Sequence, residues 1–200
     1  MQNTIMLPAR QAAADTQANS DASLIARIAA GDRSALGALY ARHHVRVYRF
    51  LLRLVNNTAN AEDLTTDVFL DVWKEARRFE GRSQVATWML AIARHRAMSA
   101  LRRRVDAPLD EAMAAEIPDG APDAEAILHE QHTSSVVRAA LTQLSAPHRE
   151  IVDLVYYHGR SVTEVAAITG VPEATVKTRM FYARKRLAAL LSAQGLDAAA

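Results

Sequence analysis

Residues 161–191, SVTEVAAITGVPEATVKTRMFYARKRLAALL, decide how this chain folds. They read as a helix, a tight turn and a second helix that carries five Lys and Arg residues. Ser161 and Glu164 have the Ser-x-x-Glu spacing of a capping box, which satisfies orphan amides at a helix start. Val162, Val165 and Ala166 give the first helix an apolar face. Gly170 supplies a left-handed stop, and Pro172 stands where a new helix can begin, because a first turn does not need its missing N–H. In the second helix Val176, Met180, Ala183, Leu187, Leu190 and Leu191 recur near one line at the helical period, a core stripe. Lys177, Thr178, Phe181 and Lys185 point elsewhere.

Such a pair is a helix-turn-helix, and its second helix is shaped to enter DNA. Phe181 lies off the apolar stripe among Thr178, Tyr182 and Lys185. An aromatic placed among cations can press on a thymine methyl in the major groove; the alternative is that it packs on a neighbouring helix or domain.

Working outward, the charge is strongly segregated. The 24 Lys and Arg nearly balance the 22 Asp and Glu, for a net +2. Yet no Lys or Arg lies between Val105 and Val137, where Asp106, Asp110, Glu111, Glu116, Asp119, Asp123, Glu125 and Glu130 gather. The cations sit just before this stretch and at the far end of the chain, which implies a polyanionic partner for the basic parts. Pro108, Pro118 and Pro122 punctuate the acidic stretch, so 105–124 reads as a flexible linker between two domains.

Before the linker, ordered structure is expected from Ser20. A short capped helix, SDASLIARIAAGD, turns Leu24, Ile25 and Ile28 inward and ends at Gly31. A long helix, RSALGALYARHHVRVYRFLLRLV, follows with Leu36, Leu39, Tyr40, Val47, Phe50, Leu51 and Leu54 as candidate core and His43 and His44 at its surface. Asn56 and Asn57 mark a turn. The next helix, ANAEDLTTDVFLDVWKEARRF, has acids early and bases late, which suits the helix dipole; its apolar positions are Leu64, Val68, Phe69, Val72 and Trp73. After a loop at Glu80–Arg82, Ser83 is read as the cap of a helix in which Val85, Trp88, Met89 and Ile92 form a stripe. That helix ends in five Arg within eleven residues, Arg94, Arg96, Arg102, Arg103 and Arg104. Beyond the linker, Leu141 and Leu144 close one helix, and Ser145 with Pro147 starts another that contains Ile151, Val152, Leu154 and Val155.

The fold class is therefore all-α: a helical domain over 20–104, the linker over 105–124 and a helix-turn-helix domain over 125–192. A disordered leader (1–19) and a flexible tail (193–200) flank them. No segment alternates with a period of two. With no cysteine, disulfides and thiolate metal sites are excluded. No HExxH, Cys/His framework or paired-carboxylate arrangement is present, so neither an enzyme nor a metal or other cofactor is expected. No apolar run is long enough to span a bilayer, and the first twenty residues lack an apolar core for secretion; a cytoplasmic protein is expected.

AEDLTTDVFLDVWKEARRF followed by ATWMLAIARHRAMSALRRR, with LSAPHREIVDLVYYHGRSVTEVAAITGVPEATVKTRMFYARKRL further on, resembles the extracytoplasmic-function sigma factors, over about Ser20 to Leu191. The resemblance implies a region 2 helical bundle and a region 4 helix-turn-helix that bind core RNA polymerase and promoter DNA, with an anti-sigma factor as a further partner. Region 4 would read the −35 element as duplex, with Lys177, Thr178 and Phe181 at the positions of base readers and Arg149, Arg179 and Arg184 suited to phosphates. Region 2 would capture a flipped base of the melted −10 element near the loop from Phe79 to Ala86. Arg94, Arg96, Arg102 and Arg103, with Arg104, would track the strand, and Trp88 stands beside the pocket, although its spacing with Val85 and Ile92 favours core. His95 occupies a position where many members carry asparagine, and imidazole offers fewer hydrogen bonds than an amide. Glu173-Ala174 stands where relatives often carry glycine, which bears on the first-turn geometry of the second helix. Asp63, Asp67, Leu70, Trp73 and Lys74 match the segment that grips the polymerase clamp helices. The rival reading is a helix-turn-helix regulator that acts without polymerase.

Overall fold

The computed structural model describes residues 20–105 and 135–194, and the side chains at 104 and 105 are not described. The expected leader, the acidic linker, the side chain of Arg104, the start of the second domain near 125 and the tail from 195 lie outside the described residues. The chain divides into two compact units. Each is wholly helical among the described residues, with no strand.

Unit 1 begins with α1, Asp21–Ala29, capped by the Ser20 hydroxyl, which accepts from the Ser23 amide. α2, Arg33–Val55, starts at Asp32, whose carboxylate accepts from the amides of Ser34 and Ala35. The Ser34 hydroxyl and the Arg27 guanidinium also donate to Asp32 and hold its carboxyl well below the usual carboxylate range. α2 ends at Asn56 in the left-handed conformation, and Asn57 caps α3, Thr58–Glu75. A short 3-10 turn, Ala76–Arg78, follows, and Arg77 donates back to the Ala29 carbonyl at 3.0 Å. α4 spans Val85–Val105. α2 packs on α1, α3 and α4. Leu24, Ile25, Ile28, Leu39, Val47, Phe50, Leu51, Leu64, Val68, Phe69, Val72, Val85, Met89 and Leu90 fill the core between them.

Four expectations need correction here. His43 is only 8% exposed, not at the surface. It shares an α2 face with Leu39 and Val47 at four-residue spacing, and its Nε2 lies 2.7 Å from the Asp21 carboxylate, so the buried imidazole is partnered. Arg42 reaches the other Asp21 oxygen at 3.0 Å. Tyr40, expected inside, is 44% exposed, because it lies one position round the helix from Leu39; its ring stacks on His44 and leans on Phe69. Leu36, Leu54, Trp73, Trp88 and Ile92 are half-buried at the rim. Ser83 does not cap α4: the first turn closes on Gln84, whose carbonyl accepts from the Trp88 amide at 3.1 Å.

Unit 2 contains α5 (135–142), α6 (Ala146–Val152), a π-helical turn (Asp153–Tyr157), α7 (Val162–Thr169) and α8 (Glu173–Ser192). Ser145 precedes α6 as expected, with Pro147 in its first turn, but the Ser145 hydroxyl pairs with His148 Nδ1 at 2.9 Å rather than with an amide. In the π turn the His158 amide bonds the Asp153 carbonyl at 3.2 Å, one residue wider than an α-helical bond. The buried side chains of Asp153 and His158 approach to 3.3 Å. α6 and α7 both pack on α8, around Ile151, Leu154, Val165, Ile168, Val176, Met180 and Ala183.

Candidate nucleic-acid interface

The helix-turn-helix forms as its residues require. The Ser161 hydroxyl accepts from the Glu164 amide and the Glu164 carboxylate accepts from the Ser161 amide, so the capping box is complete. Gly170 ends α7 at φ +67, a conformation that needs no Cβ. α8 begins one residue after Pro172, and Glu173 in its first turn suits the helix dipole. Glu173 also accepts from the Thr163 hydroxyl at 2.7 Å, a side-chain bond that ties α8 to α7. The departure at Glu173-Ala174 therefore leaves a regular first turn.

Only the first half of the expected α8 stripe is buried. Val176, Met180 and Ala183 are inside, whereas Leu187, Leu190 and Leu191 are half-exposed. Leu187 and Leu191 line an apolar groove with Val137, Leu141, Val152, Tyr156 and Tyr157. The exposed Tyr156-Tyr157 pair was not picked out from sequence. Its only local signal is two aromatics in the half-turn before Gly159.

Lys177, Thr178 and Phe181 all stand on the exposed face of α8. Lys177 approaches Glu173 of its own helix at 4.0 Å. The Thr178 hydroxyl donates to the Ala174 carbonyl at 2.9 Å. In this rotamer the hydroxyl proton is taken, which leaves the Thr178 lone pairs and methyl open. Phe181 is 59% exposed and meets Tyr182 edge-on at 5.4 Å, so within unit 2 it is not packed away. Arg184 is exposed; Arg149 and Arg179 are half-buried.

In unit 1 the second cationic surface runs along α4. A cleft of about 560 Å³ is lined by Trp88, Ala91, Ile92, His95, Arg96, Ser99 and Arg103 of α4 and by Asp71 and Glu75 of α3. The structure thus brings together Trp88, His95, Arg96 and Arg103. Trp88 packs against Phe79 at 5.0 Å and still borders the cleft. His95, Arg102 and Arg103 are exposed and Arg94 is half-buried. Arg102 reaches the Ser99 hydroxyl at 3.2 Å. Arg96 is committed to a neighbour: its Nε donates to Asp71 at 2.5 Å, a second nitrogen donates to the other Asp71 oxygen, and a third lies 3.7 Å from Asp67. Hydrogen bonding to Asp71 raises the Arg96 pKa still further. Asp71 escaped the sequence reading, although its place one helical turn beyond Asp67 was a usable signal.

The remaining unit 1 candidates share α3. Asp63, Leu70 and Lys74 are exposed, with Leu70 at 48%, and Asp67 and Trp73 are half-exposed. An apolar residue set among charges on an open helix face is suited to a protein partner. Among the described residues no group of His, Asp and Glu is placed to hold a metal ion. No helix of the described residues is long and apolar enough to cross a membrane.

Comparison with known proteins bears on both units. The family model for Sigma-70 region 2 matches residues 39–106 and that for Sigma-70 region 4 matches residues 134–187. The ECF RNA polymerase sigma factor SigM of Mycobacterium tuberculosis is 35% identical over 173 residues, covering 86% of this chain and 85% of SigM. RNA polymerase sigma factor CarQ of Myxococcus xanthus is 34% identical over 171 residues, covering 84% of this chain and 96% of CarQ. Among solved structures, the sigma factor RpoE of Bartonella quintana, crystallised with the anti-sigma factor NepR, is similar at a TM-score of 0.63 and 27% identity, covering 76% of this chain and 94% of that one.

Proposed function

This chain belongs to the extracytoplasmic-function RNA polymerase sigma factors, and we propose that its two units divide the promoter between them. It is a factor that directs transcription initiation, with core RNA polymerase and promoter DNA as partners. In our reading the region 2 domain spans 20–104 and the region 4 domain 125–192, joined by the acidic segment 105–124. In unit 2, α8 enters the −35 major groove; Lys177, Thr178 and Phe181 meet base edges, while Arg149, Arg179 and Arg184 fix register on phosphates. In unit 1, α4 receives the melted −10 strand. Arg94, Arg102 and Arg103 track its phosphates, and His95 and Trp88 shape the surface beside an extruded base, while Arg96 stays bound to Asp71 behind them. Asp63, Asp67, Leu70, Trp73 and Lys74 of α3 grip the polymerase.

One observation carries this assignment. In each unit the helix that bears the candidate DNA residues turns its apolar side inward and leaves cations on an open face, joined on α8 by the exposed Phe181 and Tyr182. Strand opening by such a surface uses binding free energy and needs no hydrolytic chemistry from this chain; sigma factors are not a family of catalytic enzymes. An anti-sigma factor, as seen on RpoE of Bartonella quintana, is the partner we assign to keep the same surfaces covered. We place the protein in the cytoplasm, where polymerase acts.

Run-off transcription with purified core polymerase on a random promoter library tests the proposal. The expected result is a small set of start sites that share two spaced elements. Tight duplex binding without polymerase, and no start-site selection with it, would instead make the chain a polymerase-independent regulator.

A further inference from the structure

Two kinds of charge meet on one face of unit 1. On α3, Asp63, Asp67, Asp71 and Glu75 recur every fourth residue, which sets them in a row along the helix. On α4, Arg96 and Arg103 border one cleft together with His95, and Arg102 is exposed next to Arg103. The far end of the acidic row intrudes on these cations, because Asp71 and Glu75 line the same cleft as Trp88, His95, Ser99 and Arg103. Bare carboxylates there would repel the phosphates of any strand laid along α4.

Neither carboxylate is bare. Glu75 is paired by Arg78 at 3.0 Å. Asp71 is held in a two-pronged grip by Arg96, whose third nitrogen leans towards Asp67. The grip crosses from one helix to the other, and Asp71 is only 18% exposed on its side chain, so solvent screens the pair incompletely. A guanidinium serving as a phosphate ligand would turn its fork outward; this one turns it inward.

We propose that Arg96 is a positioning residue that neutralises Asp71, so that the melted promoter strand can pass the acidic row of the polymerase-gripping helix. The inference rests on the reading of α4 as the −10 surface. It separates the acidic row into two parts: Asp63 and Asp67 remain for the polymerase, while Asp71 and Glu75 are silenced where DNA arrives. Arg96 then differs in kind from Arg103, which is exposed at the same cleft and contacts phosphate.

The test uses full-length factor assembled with core polymerase on a promoter selected with the wild-type holoenzyme. Open-complex occupancy is measured against salt for Arg96→Gln, Asp71→Asn, the double variant and Arg103→Gln. Arg96→Gln alone, which strands Asp71, is expected to lower occupancy by about tenfold at moderate salt. Asp71→Asn and the double variant are expected to stay within about twofold of wild type with an unchanged salt slope, whereas Arg103→Gln lowers the slope by about one. The exchanged pair Asp71→Arg with Arg96→Asp keeps the bridge and is expected to match wild type; it serves as the decisive protein if a neutral variant melts early. A double variant, or a folded exchanged pair, as defective as Arg96→Gln would overturn the inference and make Arg96 a direct DNA ligand. Full activity of Arg96→Gln would overturn it too. Failure of the wild-type factor itself to bind core polymerase would instead remove the sigma-factor reading.

Discussion

The cationic helices α4 and α8 carry similar residues and hold them in different ways. On α4, Arg96 is braced across to α3 through Asp71, and Trp88 leans on Phe79 beyond the helix start. On α8 the candidate base readers have partners on their own helix: Lys177 looks to Glu173, Thr178 to the Ala174 carbonyl, and Phe181 to Tyr182. On the function proposed above, the difference follows the shapes of the targets. Duplex DNA offers a groove into which a regular helix can project side chains directly. A separated strand has no groove, so the protein must supply the walls, and walls made from two helices bring their unlike charges into contact. On that reading unit 1 needs neutralisation across two helices, whereas Lys177 of unit 2 has its carboxylate on its own helix.

The comparison can be broken most severely at the core. Phe50 is fully buried in unit 1, and Phe50→Ala is expected to remove about 3–5 kcal/mol. Thermal unfolding should then show loss of the unit 1 transition with the unit 2 transition in place; simultaneous loss of both would mean that the units do not fold independently. The next effect concerns recognition. Lys177→Ala should relax discrimination between −35 sequences by about 1–3 kcal/mol, read by binding of the holoenzyme to a panel of single-base variants. Arg184→Ala should weaken every sequence alike and reduce the salt slope by about one. If the two variants behave identically, the division of α8 into base readers and phosphate contacts is wrong. A smaller change is expected at the cap of α7: Ser161→Ala should destabilise unit 2 by about 1 kcal/mol, visible in denaturant titration, and leave unit 1 unaffected.

The smallest effect depends on pH. The folded pKa of Asp32 is depressed by the Ser34 hydroxyl and Arg27. Its charge thus stabilises unit 1 above the unfolded carboxylate pKa, near 3.9, and that contribution is lost as pH falls through and below this value. Asparagine is as good a cap as aspartate, so Asp32→Asn isolates the charge. The gap in melting temperature between wild type and Asp32→Asn should be present at neutral pH and close on acidification. A gap that stays constant with pH would refute the assignment.

These comparisons also show what a linear sequence can reveal. The capping box at Ser161, the left-handed Gly170, the Asn56-Asn57 turn and the all-helical class were legible because each is set within a few residues. The identities of the outward residues on α8 were legible for the same reason. What escaped depends on partners distant in the chain. His43 goes inside because Asp21, on another helix, can receive it. Tyr40 lies one position round α2 from Leu39, and Phe69 of α3 supports its ring at the core's edge. Arg96 looked like one more member of an arginine run until α3 delivered Asp71 to it. The lower α8 stripe, Leu187 to Leu191, follows the helical period faithfully, but the period cannot say how far the neighbouring helices extend to cover it.

The π turn at Asp153–Tyr157 has a consequence of another kind. A helix that accommodates one surplus residue has its downstream side chains rotated by roughly a quarter of a circle relative to an uninterrupted α-helix. The bearing of Tyr156 and Tyr157 thus reflects chain length as well as residue type. Point substitution can change which groups stand there, but only an insertion or deletion can re-aim them.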